Sequence, residues 1–253
     1  MARRRFFVPE IHSGSATLAG GSATLSGLSA MLTGNDAHHL TRVLRVEKGQ
    51  KYEVSDNRAV YLAEVEAARR DLVTFRVIEQ IEAAEVPVRV ALYVALVRFE
   101  RIDLLVEKAT ELGVERMAFF ETERSERGLD RGAEKRVSRW QRIAREASEQ
   151  SRRVRLPEIA ALMSFQDVLE DAVPCRLLLD EEPGGASLLT ALPAERTPED
   201  RVSLLVGPEG GWTDRERALI HDAGWRSVSL GPTILRTETA AIAALAVITA
   251  AWL

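Results

Sequence analysis

The chain has 253 residues, of which 46% are hydrophobic and 28% charged, with a formal net charge of -4. That length suits two domains better than one, the composition is that of a chain able to bury a core, and the small net charge gives no global sign of a nucleic-acid partner. The longest apolar runs, Val88 to Val97 and Ala240 to Leu253, fall short of the ~20 residues of a membrane helix, and no export signal follows the opening arginines, so no membrane association is expected.

In chain order, Arg5 to Val8 favours a short strand. Residues 14 to 27 repeat a seven-residue Gly-Ser-Ala-Thr-Leu unit, which suits a flexible loop or a pair of short strands. Asn35 opens a short amphipathic helix that carries His38 and His39. Strands are expected over Lys51 to Ser55, Ala59 to Val65 and Asp71 to Ile81, with Asp56-Asn57 as a turn. These make a β-rich domain over residues 1–85, followed by a second domain over 86–253.

The texture changes after Pro87. Val88 to Val97 suits a parallel strand buried on both faces. Ile102, Leu105, Val106, Ala109 and Leu112 recur at helical spacing until Gly113 stops them. Val114 to Phe120 is a second strand, and Val137, Trp140, Ile143, Ala144 and Ala147 form the apolar stripe of a further helix. Cys175 to Leu179 and Val202 to Val206 are buried strands. Cys175 is the only cysteine, so no intrachain disulfide is possible, a cytoplasmic location is the default, and with four scattered histidines no metal site is expected. Thr213 and Glu216 form a capping box for a helix to about Ala223. Ser227 to Leu230 is a last strand, and Thr237 or Thr239 caps an alanine-rich final helix able to pack closely within the fold or across a dimer. The alternation predicts an α/β domain with a parallel sheet.

Between Arg124 and Arg155 eleven basic residues stand against five acids. Clustered arginine suits phosphate contacts. It equally suits a solvated helix face with i,i+4 pairs such as Arg142 with Glu146 and Arg145 with Glu149. Trp140, Trp212 and Trp225 offer base stacking or core packing, and His38 and His39 offer RNA contact or helix packing.

Two segments could carry chemistry. Leu204 to Trp212 ends a buried strand in Gly207-Pro208-Glu209-Gly210-Gly211, and glycines at a strand's carboxyl end let a ligand approach the backbone. It is neither a dinucleotide fingerprint nor a phosphate loop, and an ordinary tight turn would look the same. Leu230 to Ala240 holds Arg236 at a helix threshold, where an arginine near an apolar core needs a charged partner or ligand. Pairing of Arg236 with Glu238 is the simpler account.

Together, Gly-Pro-Glu-Gly-Gly after a strand and Leu230-Gly-Pro-Thr-Ile-Leu-Arg-Thr-Glu-Thr-Ala240 resemble the cofactor loops of the knotted SPOUT methyltransferases. With Arg5-Phe6-Phe7-Val8, His38 to Arg45, Glu107 to Val114, Arg139-Trp140 and Glu146 to Gln150, nearly the whole chain resembles the RsmE family of 16S rRNA uridine-N3 methyltransferases. The resemblance implies an N-terminal PUA-like β-barrel that binds RNA, a catalytic α/β domain with a trefoil knot, S-adenosyl-L-methionine as cofactor, the small ribosomal subunit as partner, and a homodimer. It implies a cofactor pocket of Leu179, Val206, Gly207, Pro208, Glu209, Gly210, Leu230, Gly231, Ile234, Leu235 and Thr237. Arg236 is the expected catalytic residue and Glu238 a candidate proton acceptor. Arg3, Arg5, Arg42, Arg45, Arg124, Arg139, Arg142, Arg145, Arg152 and Arg153 are expected to face RNA. The duplication at 14–27 departs from the family pattern as an insertion. A binding protein of this fold without methyl transfer, or a methyltransferase for another RNA position, is the alternative.

Overall fold

The computed structural model describes residues 4–13, 27–126, 128–170, 173–182 and 185–253. Arg3 and all of the duplication except Gly27 lie outside these residues. The chain divides into two units: residues up to Glu85 with Ser148–Leu156, and Val86–Ala147 with Pro157–Leu253.

The first unit contains β1 (Arg5–Phe7), β2 (Ile11–Ser13), β3 (Leu28–Thr33), α1 (Gly34–His38) continued by a π-helical turn at His39–Val43, β4 (Lys51–Ser55), β5 (Val60–Arg69) and β6 (Leu72–Ile81). They form one six-stranded sheet in the order β1-β4-β5-β6-β3-β2. β1 runs parallel to β4 and the other neighbours are antiparallel. Alternation along the strands turns Val54, Val65, Val73 and Phe75 inward onto Phe6, Leu32 and Leu40, each large side chain contributing roughly 1.5–3 kcal/mol of burial. β2 and β3 were not anticipated, because their short pairing is fixed by the sheet rather than by local pattern.

Ser148–Leu156 joins this unit through charge and backbone pairing, which the division at residues 85 and 86 did not foresee. Glu53 is 5% exposed, and a carboxylate so buried requires counter-charges. Arg5 Nε and Nη2 donate to its Oε2 at 3.1 and 2.8 Å, and Arg152 donates to Oε1. Arg5 also donates to the Arg152 carbonyl, the Ser55 hydroxyl donates to the Val154 carbonyl, and the Leu156 amide donates to Asn57 Oδ1 at 2.9 Å.

The second unit runs β7 (Arg89–Ala95), α2 (Phe99–Glu111), β8 (Arg116–Phe120), α3 (Leu129–Glu134), α4 (Val137–Gln150, whose last three residues count with the first unit), β9 (Glu158–Ile159), α5 (Phe165–Leu169), β10 (Cys175–Leu179), β11 (Ala186–Ser187), α6 (Leu188–Ala191), β12 (Arg201–Val206), α7 (Asp214–Asp222), β13 (Arg226–Ser229) and α8 (Thr237–Ala251). Its strands form a seven-stranded sheet in the order β11-β13-β10-β12-β7-β8-β9, every pairing parallel. Both faces are covered, which explains the unbroken apolar runs. Leu92, Val94, Leu177, Leu204 and Val206 pack with Ile102 and Leu105 of α2 and Ala244 and Ile248 of α8. Tyr93, Phe120, Leu178 and Leu205 face the other way, onto Trp212, Ile220 and Trp225.

α2 ends as its sequence dictates. Gly113 has φ +93°, and the Gly113 and Val114 amides donate to the Thr110 and Ala109 carbonyls, the pattern that terminates a helix with a left-handed residue. The alanines of α8 let it lie close to α2, β7 and β12, with Ala241, Ala244, Leu245 and Ile248 buried. Trp140, Trp212 and Trp225 are all buried, so they pack and do not stack bases. His38 and His39 are exposed, contrary to the packing account of them.

Candidate functional site

Strand order sets the site. β10 lies between β12 and β13, so the carboxyl ends of three adjacent parallel strands open together, the edge at which such sheets take ligands. The loops that leave them enclose a cavity of about 460 Å³, within the roughly 300–1,000 Å³ of small-molecule sites. Leu179, Val206, Gly207, Pro208, Glu209, Gly210, Leu230, Gly231, Ile234, Leu235, Arg236 and Thr237 all line it. Arg101, Asp180 and Glu181 line it too and were not singled out from the sequence. Asp180 and Glu181 follow β10 directly, a position that could have flagged them, whereas nothing local marks Arg101.

Each wall has a local cause. A Cβ on Gly207 would stand 2.7 Å from Trp212 Nε1, so only glycine lets the strand end pass the indole ring. Gly211 takes φ +67° to turn the chain toward α7, whose capping box is complete: Thr213 Oγ1 accepts from the Glu216 amide at 3.2 Å and Glu216 Oε2 accepts from the Thr213 amide at 2.9 Å. Thr237 Oγ1 donates to the Gly207 carbonyl at 3.0 Å, tying the loop to the head of α8. Arg124 Nη1 donates to the Gly210 and Trp212 carbonyls at 3.0 and 3.3 Å, so this arginine holds the loop.

The acidic wall is held by Arg217. Its guanidinium pairs with Asp180 and Glu181 at 3.2 Å and with Glu182 at 2.9 Å, and Ser227 Oγ donates to Asp180 at 3.2 Å. Burial pulls the Arg217 pKa down, but hydrogen bonding and charge from Asp180, with charge from Glu182 and Glu181, raise it by more. It remains a fixed cation.

Two expectations near the cavity change. Arg236 is exposed at the N-cap of α8, gives no side-chain cap, and has no ion-pair partner among the described residues. Neither Thr237 nor Thr239 is the N-cap. Glu238 is buried outside the cavity wall and its ion-pair partner is Arg101, 4.0 Å away, rather than Arg236. A buried carboxylate facing an arginine is poorly placed to take a substrate proton.

Of the expected RNA-facing arginines, Arg42 and Arg45 are exposed with no ion-pair partner among the described residues. Arg142 is exposed with Glu146 at 3.9 Å, an i,i+4 neighbour. Arg139 pairs with Asp103 at 2.9 Å, Arg145 and Arg153 are half-buried, and Arg152 is engaged with Glu53. Arg5 is 3% exposed in its pair with Glu53, which removes it from any RNA-facing surface. Among the described residues there is no His, Cys, Asp and Glu grouping able to hold a metal, and no helix is long and apolar enough to cross a membrane.

The family model of an RNA methyltransferase domain matches residues 84–249, and that of an RNA methyltransferase PUA domain matches residues 32–78. The ribosomal RNA small subunit methyltransferase E of Synechocystis sp. is 36% identical over 223 residues, covering 84% of this chain and 70% of the relative. The protein of that name from Bacillus subtilis is 32% identical, covering 84% and 86%. The crystal structure of a ribosomal RNA small subunit methyltransferase E from Neisseria gonorrhoeae, bound to S-adenosyl methionine, superposes with a TM-score of 0.81 at 28% identity over 98% of both chains. This chain belongs to the ribosomal RNA small subunit methyltransferase E family, with the RNA methyltransferase domain carrying the cavity.

Proposed function

We propose that the protein transfers the methyl group of S-adenosylmethionine to N3 of a uridine in the 16S rRNA of the small ribosomal subunit. The observation that carries this reading is the convergence of the 207–211 and 230–237 segments on one cavity with Arg236, exposed and unpaired among the described residues, on its wall. The cavity suits the cofactor. Leu179, Val206, Leu230, Ile234 and Leu235 offer apolar surface, the glycines offer close backbone, and the exposed Glu181 and Glu209 offer carboxylates to a cationic ligand.

Bound S-adenosylmethionine supplies an electrophilic methyl group on a sulfonium. Formation of the N3–CH3 bond breaks the sulfonium S–CH3 bond and would release S-adenosylhomocysteine; uridine N3 must give up its proton, to solvent in this reading, before or during attack, and the resulting negative charge spreads onto O2 and O4. A guanidinium donates hydrogen bonds and accepts none, so in this reading Arg236 stabilises that charge and does not act as base. The loop walls hold the two reactants in line, which supplies much of the remaining acceleration. Arg42, Arg45 and Arg142 are the exposed arginines best placed to meet phosphate.

The reading includes a homodimer, supported by the face of α8 bearing Ile242, Ala243, Ala246 and Val247, which one chain leaves only half-buried. It includes the trefoil knot, supported by β12 and β13 flanking β10 and by the return of the chain to α8 on β7 and β12. The substrate would place the reaction in the cytoplasm.

The test is methyl transfer from labelled S-adenosylmethionine to small subunits lacking the modification, wild type beside Arg236→Ala, followed by nucleoside analysis. The expected product is 3-methyluridine, falling at least about a hundredfold with the variant. No label on subunits or free rRNA would return the protein to an RNA-binding role, and label on another atom would reassign the target.

A further inference from the structure

Arg101 stands in the first turn of α2, where a cation opposes the helix dipole. Its position is therefore not explained by the helix it sits on. The side chain reaches two segments that meet at the cavity, the glycine loop and the head of α8. Its Nη1 pairs with Glu209 in the glycine loop and lies 4.0 Å from Oε2 of Glu238, in the first turn of α8.

Glu238 explains why that reach matters. Its side chain is 9% exposed and its Oε2 accepts no hydrogen bond among the described residues. A buried carboxylate needs a nearby counter-charge, and among the described residues Arg101 is the cation the fold brings within ion-pair distance. Arg101 and Glu209 are themselves cavity wall, whereas Glu238 lies behind it. The hydroxyl of Thr237 already ties the same loop to the same helix through Gly207, but that bond is neutral and does not involve α2.

We propose that Arg101 is a positioning residue of the cofactor cavity: by bridging Glu209 and Glu238 it fixes the spacing between the glycine loop and the head of α8 before the cofactor arrives. The inference rests on the cavity being the S-adenosylmethionine site. A wall that is already ordered does not have to be ordered by the ligand, so affinity is the quantity the bridge raises. Arg236 sits one residue before α8, and its placement over the substrate inherits the same spacing.

The experiment is calorimetric titration with S-adenosylhomocysteine of wild type, Arg101→Lys, Arg101→Met and the double variant Arg101→Met with Glu238→Gln, with steady-state kinetics alongside. Arg101→Met is expected to weaken binding by about tenfold or more and to raise KM for S-adenosylmethionine more than it lowers kcat, and Arg101→Lys to recover much of both. The double variant leaves no buried carboxylate unpaired, so its melting temperature returns toward wild type while its binding stays weak. If Arg101 serves only to neutralise Glu238, binding returns together with stability, and that result overturns the proposal. Binding by both methionine variants within about twofold of wild type also overturns it. A wild type that binds no S-adenosylhomocysteine, yet shows an unchanged fold, refutes the site assignment and the bridge together.

Discussion

Replacing Gly207 by alanine places a methyl group 2.7 Å from Nε1 and 2.8 Å from Cε2 of Trp212, where ordinary contact begins at 3.4 Å. The ring must retreat by about 0.7 Å or the strand end must move by as much. Neither has room. Trp212 is 1% exposed, stacks on Phe120 at 6.3 Å and packs at a tilt against Phe165 at 6.1 Å between centroids. A shift of this size forfeits a quarter to a half of the dispersion well of each contact it opens, and overpacking of this kind typically costs about 1–3 kcal/mol. Because Gly207 also lines the cavity and its carbonyl accepts from Thr237, cofactor affinity should fall with stability. Urea denaturation and S-adenosylhomocysteine titration read the two effects. Trp212→Leu removes the ring atoms that clash, and the indole nitrogen has no hydrogen-bond partner to lose among the described residues, so Gly207→Ala should cost less in that background than in wild type. Gly207→Ala within about 0.5 kcal/mol of wild type, with unchanged binding, would refute the steric argument.

Two further outcomes follow from the same packing. Thr237→Val keeps the shape of a buried side chain but removes its bond to the Gly207 carbonyl, and should cost about 1 kcal/mol in chemical denaturation; no measurable loss would mean that the bond is replaced by water. The Asp200 carboxyl lies below the usual carboxylate range because the Thr197 amide donates to it, with the Trp252 indole and Thr197 hydroxyl adding to the effect against partial burial. A lowered folded-state pKa gives a contribution present above the unfolded carboxyl's pKa and lost as pH falls through the folded value. Asp200→Asn should therefore flatten the acid limb of a melting-temperature profile between about pH 2 and 6, and a limb that overlays wild type would show the contribution to be absent.

The sequence by itself determined whatever depends on neighbours along the chain. β4 and β10 form over the residues expected of them, because β-branched and apolar runs bounded by turn residues leave few alternatives. The capping box at Thr213 and the stop at Gly113 are local hydrogen-bond patterns and appear as expected. The glycine loop and the 230–237 segment were legible as ligand-facing only through their joint resemblance to the cofactor loops of a known family, since each alone reads equally as a tight turn or a helix cap, and both do line the cavity.

Tertiary structure alone decided which charges meet. Arg5 and Arg152 converge on Glu53 from positions 48 and 99 residues away, and this draws Ser148–Leu156 into the first unit. Glu238, two residues from Arg236, pairs instead with Arg101 on another helix, because the turn at the head of α8 buries one side chain and exposes the other. Arg101 carries no periodic or compositional signal, since an ion pair has no sequence period: its partners are set by how strands β12 and β13 and helices α2 and α8 are placed about one sheet edge.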